Sequence, residues 1–435
     1  MKHIISQINN DENIDKENIN NIKTQNNSQK NYENSIVRII SINFTKSDEL
    51  EKQKDFKKVN DYQNNKNQKM VGFPNIGHSC YMNSFLQILF NTAEFLNLLR
   101  ENYNNDKNQT LIKCLIYLSE NKQNVYILQA IKNIMSEVDK NFGKNIQKDS
   151  QYFGNMLINK IICLLKKDIN VDDNNNDKLE EEITIFNVEE QKNKRFNEYI
   201  KKYYNQKNET FLEKMFLFHE SKIKLDKNEL NTKLKIKKID FESFLSVDLV
   251  FPNNQKTKYN IYDLLCAKYP SFPRFEKEVT NQQNNSNLIM NFINNIKTFS
   301  NNKNNRNINI NTNTACLRRL YSLPNILIIT INRAVLGKTF NNSILEINER
   351  IDLKDYLDEN KNEEEYTTYT LYGINVCAKY LENIGHYYSF VKIESKWFEF
   401  DDRKVSRIEP NLKSKNVVGL YYIRDKFDSF NNNNV

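Results

Sequence analysis

The stretch that most constrains this chain is residues 72–90, GFPNIGHSCYMNSFLQILF. It opens with turn chemistry at Gly72, Pro74, Asn75 and Gly77, then changes abruptly to a helical pattern. Met82, Phe85, Leu86, Leu89, Ala93 and Leu96 recur at the helical period and give one apolar face. Cys80 therefore sits where a loop becomes the first turn of a buried helix. Unpaired backbone N–H groups and the positive end of the helix dipole favour a thiolate over a thiol at such a place. Position alone leaves two readings open, a buried structural cysteine or a nucleophile.

The rest of the chain decides what can surround that helix. A length of 435 residues suits one large domain or two ordinary ones, and a hydrophobic content of 39% points to a folded core diluted by polar inserts. The formal net charge of +8 gives a weak preference for acidic surfaces, and no basic stripe marks a nucleic-acid site. No apolar run reaches the length of a membrane span, and the first residues lack the apolar core of a signal peptide. Cys80, Cys114, Cys163, Cys266, Cys316 and Cys377 are scattered, with no CxxC pair. That spacing suits free thiols in a reducing compartment, so a cytoplasmic or nuclear location is expected.

Along the chain, residues 1–68 are rich in Asn, Lys, Gln, Asp and Glu and read as a disordered extension. Helical patterns follow the Cys80 helix at 110–116 (with Thr110 as cap), at 127–138, and from Asp149 to about residue 164. Inserts are expected at about 166–208, where coherent periodicity around 183–188 and 196–204 allows one short helix, and at about 277–314. From Phe211 the pattern alternates as antiparallel strands, with a short helix at 260–268. LPNILIITINR at 323–333 reads as a strand buried on both faces. Ile344, Ile347 and Ile351 lead to a helix start at 353–357, residues 366–424 read as strands, and 426–435 as a disordered tail.

A cysteine nucleophile needs an imidazole beside it and a polar group to orient that ring. Of the four histidines, His3 lies in the extension, His219 adjoins an apolar run, and His78 is too near Cys80 in sequence to present its ring to the thiol. His386 lies in GHYYSFV at 385–391, ahead of KWFEFDDRKV at 396–405.

Residues 72–87 resemble the cysteine box of the ubiquitin-specific proteases, a papain-like family whose box runs G-L-x-N-x-G-N-T-C-Y-M-N-S-x-L-Q. Gly72, Asn75, Gly77, Cys80, Tyr81, Met82, Asn83, Ser84, Leu86 and Gln87 match, while His78 and Ser79 replace Asn-Thr. The later segments resemble its histidine box, G-H-Y-x-A-Y followed by W-Y-x-F-D-D-x-x-V, with His386, Tyr387, Trp397, Phe400, Asp401, Asp402 and Val405 matching. Residues 147–153 resemble its Q-x-D-A-x-E-F box, with Asp149 kept and Tyr152 in place of Glu. Arg333 matches the end of the family's L-P-x-x-L strand, with Ala334 replacing an aromatic residue, and Tyr421 and Tyr422 resemble its closing strand. Cys377, Ala378 and Lys379 depart from the His and Gly that many members carry.

The resemblance covers residues 70–425 and implies an α+β papain-like fold. A helical thumb would carry Cys80, a β-rich palm would carry His386 and Asp401, and fingers would grip the substrate, within a catalytic domain at 69–425. Many members pin the fingers with two CxxC pairs on zinc; none occurs here, so reduced fingers without zinc, and no cofactor, are expected. The implied reaction is thiol hydrolysis after the C-terminal glycine of ubiquitin through a thioester. Cys80, His386 and Asp401 would form the triad, and Asn75 would be an oxyanion donor with the Cys80 backbone N–H. Asp149 and Tyr387 would meet the substrate tail, although Asp149 also reads as a helix N-cap. Asp402, one residue further along the strand, is expected to face away from His386, where it would bind backbone or a neighbouring turn, or else help to position the oxyanion. The implied partners are ubiquitin and ubiquitinated proteins, with a monomer and with neither nucleic acid nor membrane. Two other readings stay open: a ubiquitin-binding scaffold of little activity, and a protease for a ubiquitin-like modifier.

Overall fold

In a computed structural model of the chain, the described residues are 70–103, 109–166, 188–204, 209–227, 234–252, 256–271, 274–275, 314–335, 339–358, 366–381 and 384–426. The expected extension at 1–68, nearly all of the 277–314 insert and the tail from 427 lie outside them.

The chain enters with α1 (Cys80–Phe90) and α2 (Phe95–Glu101), followed by α3 (Thr110–Glu120), α4 (Val125–Val138) and α5 (Ser150–Leu165). The apolar pattern that runs on to Leu96 is broken at Glu94, whose φ of 60° turns the chain between α1 and α2. Asn124 caps α4 and Asp149 caps α5, each accepting backbone N–H groups of the first turn. Thr110 is the first helical residue of α3, after Gln109 at the N-cap. Every residue of α1 is buried, its polar side chains included. The helix is thus enclosed on all sides, which one apolar face does not foretell.

Next come α6 (Val188–Tyr204) and α7 (Phe211–Phe216), where strands were expected from Phe211. The Thr210–Glu213 capping box explains α7. Strands β1 (Phe218–Lys227), β2 (Leu234–Phe244), β3 (Val247–Val250) and β4 (Lys258–Asn260) precede α8 (Ile261–Lys268). Then follow β5 (Arg274–Phe275), β6 (Thr314–Ser322), β7 (Ile326–Asn332), the small hairpin β8 (Ala334–Val335) and β9 (Thr339–Phe340), β10 (Ile344–Glu346) and β11 (Arg350–Asp352). A single 3-10 turn, Lys354–Tyr356, stands where a helix start was expected. The chain closes with β12 (Thr368–Leu381), β13 (Ile384–Ile393), β14 (Lys396–Asp401), β15 (Lys404–Arg407), β16 (Lys413–Ser414) and β17 (Val417–Arg424).

One sheet, ordered β15-β14-β13-β12-β17-β7-β3 with β11 beside β12, forms the palm. Its two faces serve two cores. Tyr372, Val391, Phe400, Val418 and Tyr421 pack with the helices, while Ile329, Leu371, Ile374, Trp397 and Tyr422 pack with α8 and the segments around β10. Burial on both faces is why β7 and β17 read as continuous apolar runs. Buried Arg333 fixes the end of β7 by donating to the carbonyls of Val417, Asn341, Ser343 and Ser414.

The fingers are a second sheet, β2-β1-β6-β5. Here the expected insert at about 166–208 proves to be partly integral, because α6 covers this sheet. Phe196 and Tyr199, one turn apart on a charged helix, pack against His219 and Phe241. Lys192 Nζ reaches Asp358 Oδ1 at 2.6 Å in a buried ion pair. Breaking such a pair leaves an uncompensated charge and costs about 3–5 kcal/mol, so it fixes how α6 docks more than it adds to net stability.

Candidate active site

Cys80 is the first residue of α1 and 4% exposed, at the edge between helices and palm. The turn that delivers it is held by its own side chains. Asn75 Oδ1 accepts from the Ser79 backbone N–H at 3.1 Å, and Ser79 Oγ accepts from the Ile76 N–H at 2.9 Å. Gly77 (φ 89°) and His78 (φ 51°) both adopt left-handed backbone. Glycine tolerates this freely and histidine is among the side chains that do so more readily than most. His78 is exposed, as befits a loop residue.

His386 arrives on β13, whose neighbour β14 ends at Asp401. His386 Nε2–H donates to Asp401 Oδ1. That leaves Nδ1 for Cys80. The hydrogen bond with the Cys80 thiol is the largest cause raising the His386 pKa to about 9; burial opposes it, and the hydrogen bond and charge of Asp401 add to it. At neutral pH the ring is therefore an imidazolium held between the Cys80 sulfur and a carboxylate. The structure brings Cys80, His386 and Asp401 into one chain of contacts.

Asp402 departs from the strand alternation. β14 ends at Asp401, and Asp402 turns back at φ 48°. Its carboxylate lies within 4.8 Å of ligand atoms of both His386 and Asp401 instead of facing away. There Oδ2 accepts from Asn75 Nδ2 at 2.9 Å and Oδ1 from Asn83 Nδ2 at 2.8 Å. One amide hydrogen of exposed Asn75 is thus held on Asp402, which fixes the direction of the other. Gly72 makes this turn possible, since a Cβ there would stand 2.0 Å from the Asp402 carbonyl oxygen.

Three comparisons bear on this geometry. The family model described as ubiquitin carboxyl-terminal hydrolase matches residues 71–422. The chain belongs to that family. Ubiquitin carboxyl-terminal hydrolase 15 of Schizosaccharomyces pombe is 37% identical over 94 residues, 20% of this chain and 8% of that protein. The putative ubiquitin carboxyl-terminal hydrolase 11 of Arabidopsis thaliana is 34% identical over 118 residues, 25% of this chain and 13% of that protein. These matches therefore span a small part of the relatives' own length. Among solved structures, the SAGA Ubp8/Sgf11/Sus1/Sgf73 DUB module bound to ubiquitin aldehyde gives a TM-score of 0.53 at 17% identity, covering 82% of this chain and 70% of that one. The same module described as Ubp8-Sgf11-Sgf73-Sus1 gives 0.53 at 17%, covering 82% and 68%. The likeness is one of fold, mixed helix and sheet, as the resemblance implied.

Within this ubiquitin carboxyl-terminal hydrolase domain, Asp149 caps α5, accepting the Tyr152 N–H at 2.7 Å, and its other oxygen meets Tyr387 OH at 3.5 Å. Tyr387 is buried, and its phenol pKa is pushed up by that burial and by Asp149. Tyr152 is 45% exposed and leans on Phe142. Gln147 is a positioning residue that sequence reading missed. Its Oε1 accepts from the Gly385 N–H at 2.8 Å and its Nε2 donates to the Gly385 carbonyl, locking the backbone next to His386. Its place in the Q-x-D box was the available signal.

His386, Asp401 and Asp402 are also the one group among the described residues with the proximity of metal ligands. An imidazolium with a pKa of about 9 must lose its proton before it can ligate, and both carboxylates already accept hydrogen bonds. The set fits proton handling better than a cation.

The raised pKa has a stability consequence. His386 titrates near 6.5 when unfolded and about 9 when folded, so its contribution is fully present below pH 6.5 and is lost as the pH rises through 9. The melting temperature is expected to fall over that window, and to fall less in His386→Gln. Equal slopes for the two proteins would contradict the assignment.

Proposed function

We propose that this chain is a deubiquitinating thiol hydrolase that cleaves the isopeptide or peptide bond after the C-terminal glycine of ubiquitin. The observation that carries the reading is the contact chain from Cys80 through His386 to Asp401, inside a domain of the ubiquitin carboxyl-terminal hydrolase family. The Cys80 thiolate attacks the carbonyl carbon of the scissile bond. The oxyanion that forms is met by the Cys80 backbone N–H and by Asn75 Nδ2, which Asp402 holds in place. Such a donor is typically worth roughly 2.7–4 kcal/mol to the transition state. The His386 imidazolium then protonates the departing amine, leaving a thioester on Cys80. Neutral His386 takes a proton from water, the resulting hydroxide attacks the thioester, and the carboxylate product and the thiol group are released. Asp401 holds the ring tautomer and balances its charge throughout.

The fingers are proposed to hold without a structural metal, since Cys316 is the only cysteine among the described residues of β1, β2, β5 and β6. A second reading, hydrolysis of a ubiquitin-like modifier, gains support from Asp149 and Tyr152. The carboxylate is already engaged in the cap and with Tyr387, and an exposed aromatic ring takes the place of a second acid. Such a surface suits an apolar tail better than a strongly basic one.

Ubiquitin carrying a C-terminal electrophile, run beside common ubiquitin-like modifiers carrying the same group, tests both readings. Labelling is expected at Cys80, although Cys163 and Cys266 are the exposed thiols. Attachment to either of those would overturn the proposed nucleophile, and faster reaction with another modifier would favour the second reading.

A further inference from the structure

Lys132 is an oddity of α4. Its buried neighbours on that helix are Ile127, Leu128, Ala130, Ile131 and Met135, yet Lys132 itself is 1% exposed. A lysine so enclosed is ordinarily paired with a carboxylate. Among the described residues none pairs with it. Its Nζ donates instead to the Gly77 carbonyl at 3.1 Å and to Asn145 Oδ1 at 2.9 Å. Gly77 has left-handed backbone, and a Cβ on it would stand 2.9 Å from the same Asn145 oxygen. Lysine, asparagine and glycine therefore close on one point of the turn that leads into α1. Cys80 is three positions further on, at most about 11 Å of chain.

We propose that Lys132 is a positioning residue for the nucleophile. It clamps the turn before Cys80, and its unpaired ammonium charge, added to the N-terminal end of α1, stabilises negative charge on the reacting sulfur and on the oxyanion. This rests on Cys80 being the nucleophile. The lysine's burial lowers its own pKa, so the charge is maintained at a cost, which a residue serving packing alone would avoid by being apolar. At a reach of up to about 14 Å through partly buried protein, one charge moves an ionisation by about half a unit to one unit.

Other charges face the thiol. His386 and Asp401 do so from the palm, with Asp402 behind Asn75 and Asn83. Tyr81 adjoins Cys80 on α1, with Asp139 behind it, and His78 lies exposed on the turn. Lys132→Met alters none of these.

In the full chain, the pH dependence of iodoacetamide alkylation, mapped by peptide mass spectrometry, is compared with kcat and KM. Lys132→Met is expected to move the acid limb of alkylation up by about half a unit to one unit. It is also expected to lower kcat about three- to tenfold with KM little changed. Lys132→Arg should restore the limb. Asn145→Asp, at an exposed position, neutralises the ammonium while keeping its hydrogen bond and should shift the limb in the same direction; it decides alone if Lys132→Met does not fold. An unmoved limb in the folded variants overturns the proposal, as does a loss of kcat without any change in pH profile. Absence of alkylation at Cys80 in the parent would instead overturn the nucleophile.

Discussion

Cys80→Ala is expected to abolish hydrolysis of ubiquitin conjugates, with kcat reduced by at least about 10⁴-fold, while the protein keeps its fold and its affinity for ubiquitin. The chemistry has no second route, because no other described thiol shares the contact with His386. The fold has little reason to suffer. One buried sulfur is removed at the first turn of α1, where alanine is a good helix former, and the helix is held by Asn83, Ser84 and Gln87 as well as by its apolar residues. A second readout separates lost chemistry from a damaged site. The hydrogen bond with Cys80 is the largest cause raising the His386 pKa, so its removal should bring the ring down from about 9. The burial that already opposes ionisation would then weigh against Asp401 alone. Titration of the His386 ring by NMR, with ubiquitin affinity measured by calorimetry, checks both. Residual turnover within tenfold of the parent, or a His386 titration that does not move, would remove Cys80 from the centre of the mechanism.

The parts legible in sequence were those whose determinants are local. Residues 72–90 and 385–405 carry turn chemistry, a change of period and motif spacing within short windows, and the structure brings those two windows together. What was not legible depends on partners far along the chain. Asn83 and Gln87 lie off the apolar face that the period defines, yet Asn83 reaches Asp402, 319 residues away, and Gln87 reaches back 16 residues to the Val71 carbonyl. Gln147 and Gly385 meet across 238 residues. No periodicity records such pairs. The charged composition of α6 hid a short apolar stripe, which has meaning only because β1 and β2 present Phe241 and His219 to it. Asp402 was misplaced for a different reason. Strand alternation stops at Asp401, and a left-handed turn reverses the next side chain.

That reversal makes the adjacent carboxylates separable by experiment. Asp401 accepts from His386 Nε2, and its hydrogen bond and charge help raise the ring's pKa. In Asp401→Asn the amide oxygen can still accept the N–H, so the ring keeps its orientation but loses a compensating charge. The alkaline limb of kcat/KM, set by the imidazolium that must protonate the leaving amine, should move down from near 9 by about one unit. The drop in kcat should be about 10- to 100-fold, smaller than in a serine triad, because a cysteine is intrinsically nucleophilic. Asp402 does different work. Its two oxygens accept from two amide groups, Asn75 Nδ2 and Asn83 Nδ2. In Asp402→Asn one oxygen becomes an NH2 group and faces a donor with a donor, so one of those amides is released. If the oxyanion depends on Asn75, kcat should fall by about 10²–10³-fold with the alkaline limb unmoved. Both carboxylates lie within 4.8 Å of the ring, so proximity alone cannot divide the roles. The pH profile can. A shifted limb in Asp402→Asn with none in Asp401→Asn would exchange the assignments, and a kcat within threefold of the parent in Asp402→Asn would release Asn75 from the oxyanion site.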